Sequence, residues 1–266
     1  MAFDQAVRRE ETVTFDQEML HGAGPRLLGI ALVAAGVMNL WRGDFTPIFH
    51  PMPDSLPART LSAALSSTVL LGAGIALASG RMWHVGAGLL AAVLVFLSLG
   101  WMVRVAMFPA MIGTWLGLAE QLALATGAVA VFAQSRTAPA FLPSACRIVF
   151  GLCQIVFALA HFLALPETIG MTPSYLPPGP RFWALATGGL HLAGGVLLLS
   201  AIRTVLVTRC LAAMFAVFGL MVWLPMLIER PTAANLAGNL INLALIGAVL
   251  SVGEAEAPTG RRRLPA

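Results

Sequence analysis

Eight apolar stretches of about 20 residues each, separated by connections too short to fold alone, set the limits on this chain. They lie near 25–43, 58–79, 83–105, 110–134, 146–165, 181–202, 206–228 and 232–253. At a helical rise of about 1.5 Å per residue, each can cross a hydrocarbon layer about 30 Å thick. Lipid offers no partner for backbone N–H and C=O groups, so spanning segments are helices or closed barrels. The period-two alternation of barrel strands is absent. Hydrophobic residues make up 58% and charged residues 11% of the 266 positions, with a mean hydropathy of +0.84. One soluble core could not bury that balance. The expected fold class is all-α: a polytopic membrane protein with eight transmembrane helices.

All 16 basic residues are arginine. With eight spans, both termini share a side, and that side carries Arg8, Arg9, Arg26, Arg81, Arg136, Arg147, Arg203, Arg209 and Arg261 to Arg263. The other side has Arg42, Arg59, Arg104, Arg181 and Arg230. This asymmetry predicts cytoplasmic termini. The sequence pI of 9.8 then reports topology and gives no reason to expect nucleic-acid binding. Absence of lysine points to a GC-rich coding sequence and so to a bacterial inner membrane. Trp41, Trp101, Trp115, Trp183 and Trp223 fall near the outer ends of spans, where indole favours the headgroup layer. The first residues lack the layout of a secretory signal; Phe3, Val7, Phe15 and Met19 could line a surface-lying stripe or belong to a solvated tail. Cys146, Cys153 and Cys210 form no Cys-x-x-Cys pair and read as packing residues.

The chain also repeats itself. Pro53-Asp-Ser-Leu-Pro57 and Pro173-Ser-Tyr-Leu-Pro177 stand 120 residues apart, as do Gly74 and Gly194, and Gly127 and Gly247. Such an offset predicts one four-helix unit written twice, and an even number of spans per unit makes the copies parallel. The expected organisation is a cytoplasmic tail over 1–24, a first repeat over 25–134, a cytoplasmic linker over 135–145, a second repeat over 146–253, and a basic cytoplasmic tail over 254–266. Each repeat has its longest outer loop after its first helix, at 44–57 and 166–180, and both loops are rich in proline, which presets the backbone. Ile48, Phe49, Met52 and Leu56, or Ile169, Met171, Tyr175 and Leu176, could dip over the bundle mouth as a lid or seal it as a rigid cap. Pro53, Pro57, Tyr175 and Pro177 are the loop candidates.

Ionisable or amide side chains within spans are costly in lipid and face the bundle interior or mark function. His191 falls near the midplane on a face with Ala184, Gly188 and Gly195. It suits proton transfer or hydrogen bonding to a ligand carbonyl, or a bond to a neighbouring helix. Glu120 and Gln121 lie two to three turns into the fourth span. A carboxyl there suits proton coupling or a buried structural bond. Asn235, Asn239 and Asn242 share one face of the eighth span, which reads either as interhelical hydrogen bonding or as a polar pocket wall. His161 lies one turn before Pro166. No histidine or carboxylate spacing suggests a metal site.

Ala160-His-Phe162, Pro166, Met171-Thr-Pro-Ser-Tyr-Leu-Pro177, Gly189, Gly194-Gly195, Arg203 and Leu224-Pro225 resemble the pattern of the DoxX-like family of four-helix membrane proteins. The second repeat, 146–253, carries the likeness. The first matches through Gly36, Pro53, Leu56-Pro57 and Gly74, with Trp41 in place of the motif histidine. The resemblance implies a membrane-bound role in sulfur or thiol oxidation linked to quinone, or in redox-stress complexes. Three functions follow as expectations. The first is a membrane subunit that binds a quinone or similar apolar redox ligand through His191, Glu120 and His161 and serves a soluble oxidoreductase. The second is a proton-coupled carrier of a small hydrophobic or weakly acidic solute. The third is a non-catalytic assembly factor. The partners expected are membrane lipid, a quinone and that oxidoreductase.

Overall fold

The computed structural model describes residues 22–257 apart from 48 and 136. The amino-terminal stripe, the carboxy-terminal arginines, Ile48 and Arg136 thus lie outside the described residues. All regular structure among the described residues is helical. The helices are α1 (Ala23–Arg42), α2 (Arg59–Ser79), α3 (Trp83–Met107), α4 (Ile112–Phe132), α5 (Leu142–Leu163), a short α6 (Leu165–Met171), α7 (Pro180–Leu199), α8 (Thr204–Glu229) and α9 (Ala233–Ala255). All except α6 are long and apolar enough to cross a membrane, as the sequence predicts. Boundaries differ by a few residues: α1 begins at Ala23, inside the expected 1–24 tail, and α4 ends at Phe132. The linker expected over 135–145 ends early, because α5 begins at Leu142 with Pro143 in its first turn, where a missing N–H costs nothing. The last helix runs on to Ala255, past the expected boundary at 253.

The two halves, α1–α4 and α5–α9, use the same pairings. In each half the first spanning helix packs on the second and the third on the fourth. The halves join through α9 on α1, α4 on α5, and α4 on α9. Glycines allow the closest approaches. A Cβ on Gly29 would meet the Gly74 carbonyl oxygen at 2.6 Å, and one on Gly74 would meet that of Gly29 at 2.8 Å. Gly151 and Gly195 repeat this reciprocal crossing in the second half. Where the halves meet, a Cβ on Gly127 would collide with Ala248, and one on Gly247 with the Leu28 backbone. Absent side chains here let backbones touch, the usual basis of helix association in lipid.

These contacts relate the two halves by an offset other than the 120 residues of the proline motifs. Gln121 Nε2 donates to the Leu94 carbonyl at 3.4 Å, and Asn242 Nδ2 to that of Phe215 at 2.8 Å. Both donor and acceptor are shifted by 121 residues. By the same matching, Gly74 answers to Gly195, not Gly194, while Gly29 answers to Gly151, a shift of 122. Trp41, 120 residues before His161, is 86% exposed, whereas Asn39, 122 residues before it, is buried.

The same-face tryptophans also part company. Trp41, Trp115 and Trp183 are exposed, as an interfacial belt requires. Trp101 and Trp223 instead lay their rings on Gly117 and Gly238, inside the bundle. The shift between those tryptophans is 122 residues, because α8 contains a π-helical turn at Gly219–Trp223 that takes up one extra residue. Cys146 and Cys153 are buried and Cys210 exposed, all three as free thiols.

Candidate functional site

The two long connections occupy one end of the bundle, and they behave differently. In the first half, Phe45, Thr46, Phe49, His50 and Met52 are buried at 0 to 7% exposure. Asn39, at the end of α1, accepts from the Thr46 amide at 3.1 Å and hydroxyl at 2.7 Å through Oδ1. Its Nδ2 donates to His50 Nδ1 at 3.3 Å. Trp101 Nε1 reaches the Phe49 carbonyl at 3.4 Å. Arg59 lashes the loop from α2: it pairs with Asp44 at 2.9 Å, donates to the Met52 and Pro53 carbonyls at 2.8 Å each, and stacks over Phe45.

Burial pulls the Asp44 carboxyl upward, but hydrogen bonds from Arg59 and the Phe45 amide, with the Arg59 and Arg42 charges, outweigh it and hold it below its usual range. Burial alone drives His50 down to about 3. The loop is a cap over a leucine-filled bundle. Pro53 is half-buried and Pro57 exposed at its rim.

No residue from 164 to 179 is buried. Tyr175 is 68% exposed and Pro177 also faces outward; Trp183 Nε1 holds the Pro177 carbonyl at 3.0 Å. Arg181, at the start of α7, makes no ion pair among the described residues comparable to that of Arg59. Helices α7 and α8 also pack more loosely than α2 and α3. The short helix α6 and the rest of this connection rest on α5 and α7 without burying a side chain.

Below this connection the structure brings His161 and His191 together, with ring centroids 5.0 Å apart. His191 sits eleven residues into α7, about 16 Å along it. Its Nδ1 bonds Gln154 Oε1 at 2.7 Å, and it is 5% exposed. His161 Nδ1 bonds the Phe157 carbonyl one turn back at 2.8 Å. Three rings line the pair: Phe157 and Phe215 stand 5.4 and 5.6 Å from His191, and Phe218 stands 6.4 Å from His161. Gly188 makes the approach possible, since a Cβ there would meet that of His161 at 2.9 Å. His161 Nε2 and Gln154 Nε2 are buried with no partner. Buried polar atoms are almost always paired, and unpaired ones carry a cost.

The matching places in the first half are Leu32 for Gln154, Ala35 for Phe157, Asn39 for His161, Leu70 for His191 and Leu94 for Phe215. The polar cluster therefore belongs to one half only. Gln154 and its aromatic neighbours went unnoticed in the sequence; the available signal was an amide seven residues before His161 on the same helix face.

The other candidates lie apart. Asn242 Nδ2 is spent on the Phe215 carbonyl, Asn239 Nδ2 on those of Trp223 and Asn235, and Asn235 Nδ2 on those of Met226 and Arg230. This row stitches α9 to α8 along the π turn and Pro225, where regular helical bonding is broken. Gln121 plays the corresponding part on α4. Glu120, half-buried on α4, has no hydrogen bond or ion pair among the described residues and does not join the histidines; Arg104 is exposed. At the opposite end, Glu254 Oε1 accepts from the Gly24 amide at 3.3 Å beside a cavity of about 40 Å³ lined by Thr208, Arg209 and Gly253. Among the described residues no group of three or more His, Cys, Asp or Glu could hold a metal ion. No protein-family model, curated protein or solved structure matches the chain.

Proposed function

We propose that the chain is a duplicated DoxX-like unit of the bacterial inner membrane, with both termini cytoplasmic. In this reading its second copy binds a flat apolar redox ligand of the quinone class on behalf of a soluble oxidoreductase. The observation that carries the reading is the His161–His191–Gln154 cluster. Unused nitrogens meet aromatic walls there, below a connection that buries no side chain, while the matching place in the other half carries leucine and lies under a buried loop. Aromatic rings suit a planar ligand, and a few placed polar groups orient it. Lipid-dissolved molecules reach such a site through loosely packed helices without crossing water. One ligand per chain is expected, since Leu70 and the sealed first loop leave no second place.

The test is direct. Lipid extracted from the purified protein is assayed for bound quinone, and binding of an added short-chain quinone is titrated in detergent. His191→Leu installs the side chain that the first half carries at Leu70. Binding near one per chain, weakened at least tenfold by this change, is the expected result. Absence of binding, or equal binding by the variant, overturns the proposal.

A further inference from the structure

We infer that the second-half site takes the hydroxyl-bearing, reduced form of its aromatic ligand in preference to the carbonyl form, an inference that rests on the ligand reading above. The argument begins with His161. Its Nδ1 lies 2.8 Å from the Phe157 carbonyl oxygen, and a carbonyl only accepts. That nitrogen therefore carries the proton of the neutral ring, and Nε2 presents a bare lone pair. This lone pair is buried and unpartnered, so a group completing the site there must donate.

In the His191 tautomer that donates Nδ1–H to Gln154 Oε1, 2.7 Å away, its Nε2 is a second acceptor, and the unpartnered Gln154 Nε2 is a donor. The lining is mixed, with acceptors on the two rings and a donor on the amide. An aromatic hydroxyl can do both, giving its proton to an imidazole and receiving a bond at its oxygen. A quinone oxygen can only accept; set against His161 Nε2, it opposes lone pair to lone pair and leaves the imidazole acceptor unpaired. Nothing around the pair reverses this preference. The contacting rings are Phe157, Phe215 and Phe218, none of which donates, and no carboxylate or guanidinium bonds either histidine among the described residues.

The experiment uses the full chain in detergent and calorimetric titration under anaerobic conditions. Duroquinol is compared with duroquinone, and 2,3,5,6-tetramethylphenol with its methyl ether, in which a methyl group replaces the hydroxyl proton, a pair that needs no protein variant. The hydroxyl-bearing member of each pair is expected to bind about tenfold more tightly, equivalent to about 1.4 kcal/mol. In His161→Asn, which places there the residue that the folded first half tolerates at Asn39, the ratio is expected to fall towards one. Duroquinone binding as tightly as duroquinol, or a ratio unchanged in His161→Asn, overturns the inference and leaves the ligand reading standing. Failure of all four compounds to bind overturns both.

Discussion

His50 makes the cap of the first bundle sensitive to acid, and the size of the effect can be worked out. The ring is 0% exposed, and burial lowers it from its ordinary value of 6.5 to about 3. The seated loop therefore holds His50 neutral, whereas a detached loop binds a proton once the pH drops below about 6.5. The stabilisation is complete above that value and is lost as pH falls through the window down to about 3, at about 1.4 kcal/mol per pH unit. At pH 5 the loss is about 2 kcal/mol, or about 30-fold in the opening equilibrium. Asp44 does not confuse the result. Its carboxyl is held below the usual carboxylate range, so its contribution is lost only at lower pH.

The readout is hydrogen exchange of residues 45–52, corrected for the intrinsic pH dependence of amide exchange. The amides of Phe49, His50 and Met52 are bonded within the loop at 2.7 to 3.0 Å, so their protection reports seating. About 30-fold less protection at pH 5 than at pH 7.5 is expected, and His50→Gln, which cannot titrate, should show little change between the two. Equal loss in both proteins, or none in the wild type, would refute the linkage.

Two further outcomes follow from the packing. Gly127→Leu pushes a side chain into Ala248 and should lower stability by about 1–3 kcal/mol or more in detergent unfolding, whereas Gly113→Ala, with open space around it, should be near neutral. Asn239→Leu removes donors to the Trp223 and Asn235 carbonyls; a loss of about 1 kcal/mol, with faster amide exchange confined to the 219–229 segment of α8, is expected.

The eight helices were legible in the sequence because lipid demands one property over a fixed length, and hydropathy reports it directly. The inward asparagine row was legible too, since amides spaced along one helix face have few other places to go. What they bond was not: most of the acceptors are α8 carbonyls around a π turn, which no side-chain pattern announces. The offset between matching contacts differs from that of the proline motifs by one or two residues, which hydropathy does not report. The proline motifs gave 120, but a one-residue insertion such as the π turn leaves hydropathy unchanged while rotating everything beyond it by about 100°. At Asn39 and His161, upstream of the π turn, the offset of 122 falls to 120 at the proline motifs because the stretch from His161 to Pro173 is two residues shorter than that from Asn39 to Pro53. The meeting of His161 with His191 lies further out of reach, because α5 and α7 bring them together across a loop and only Gly188 hints at the close approach.

The glycine crossings between the halves bear on motion. A carrier that alternated access by rocking one half against the other would have to part α4 from α9 and α9 from α1, where main chains rest on each other with no intervening side chains to roll over. Such a seam behaves as a weld and not as a bearing, so solute traffic through this molecule would have to run inside a half, past hinges such as the broken helix α8, with the two halves moving as one block.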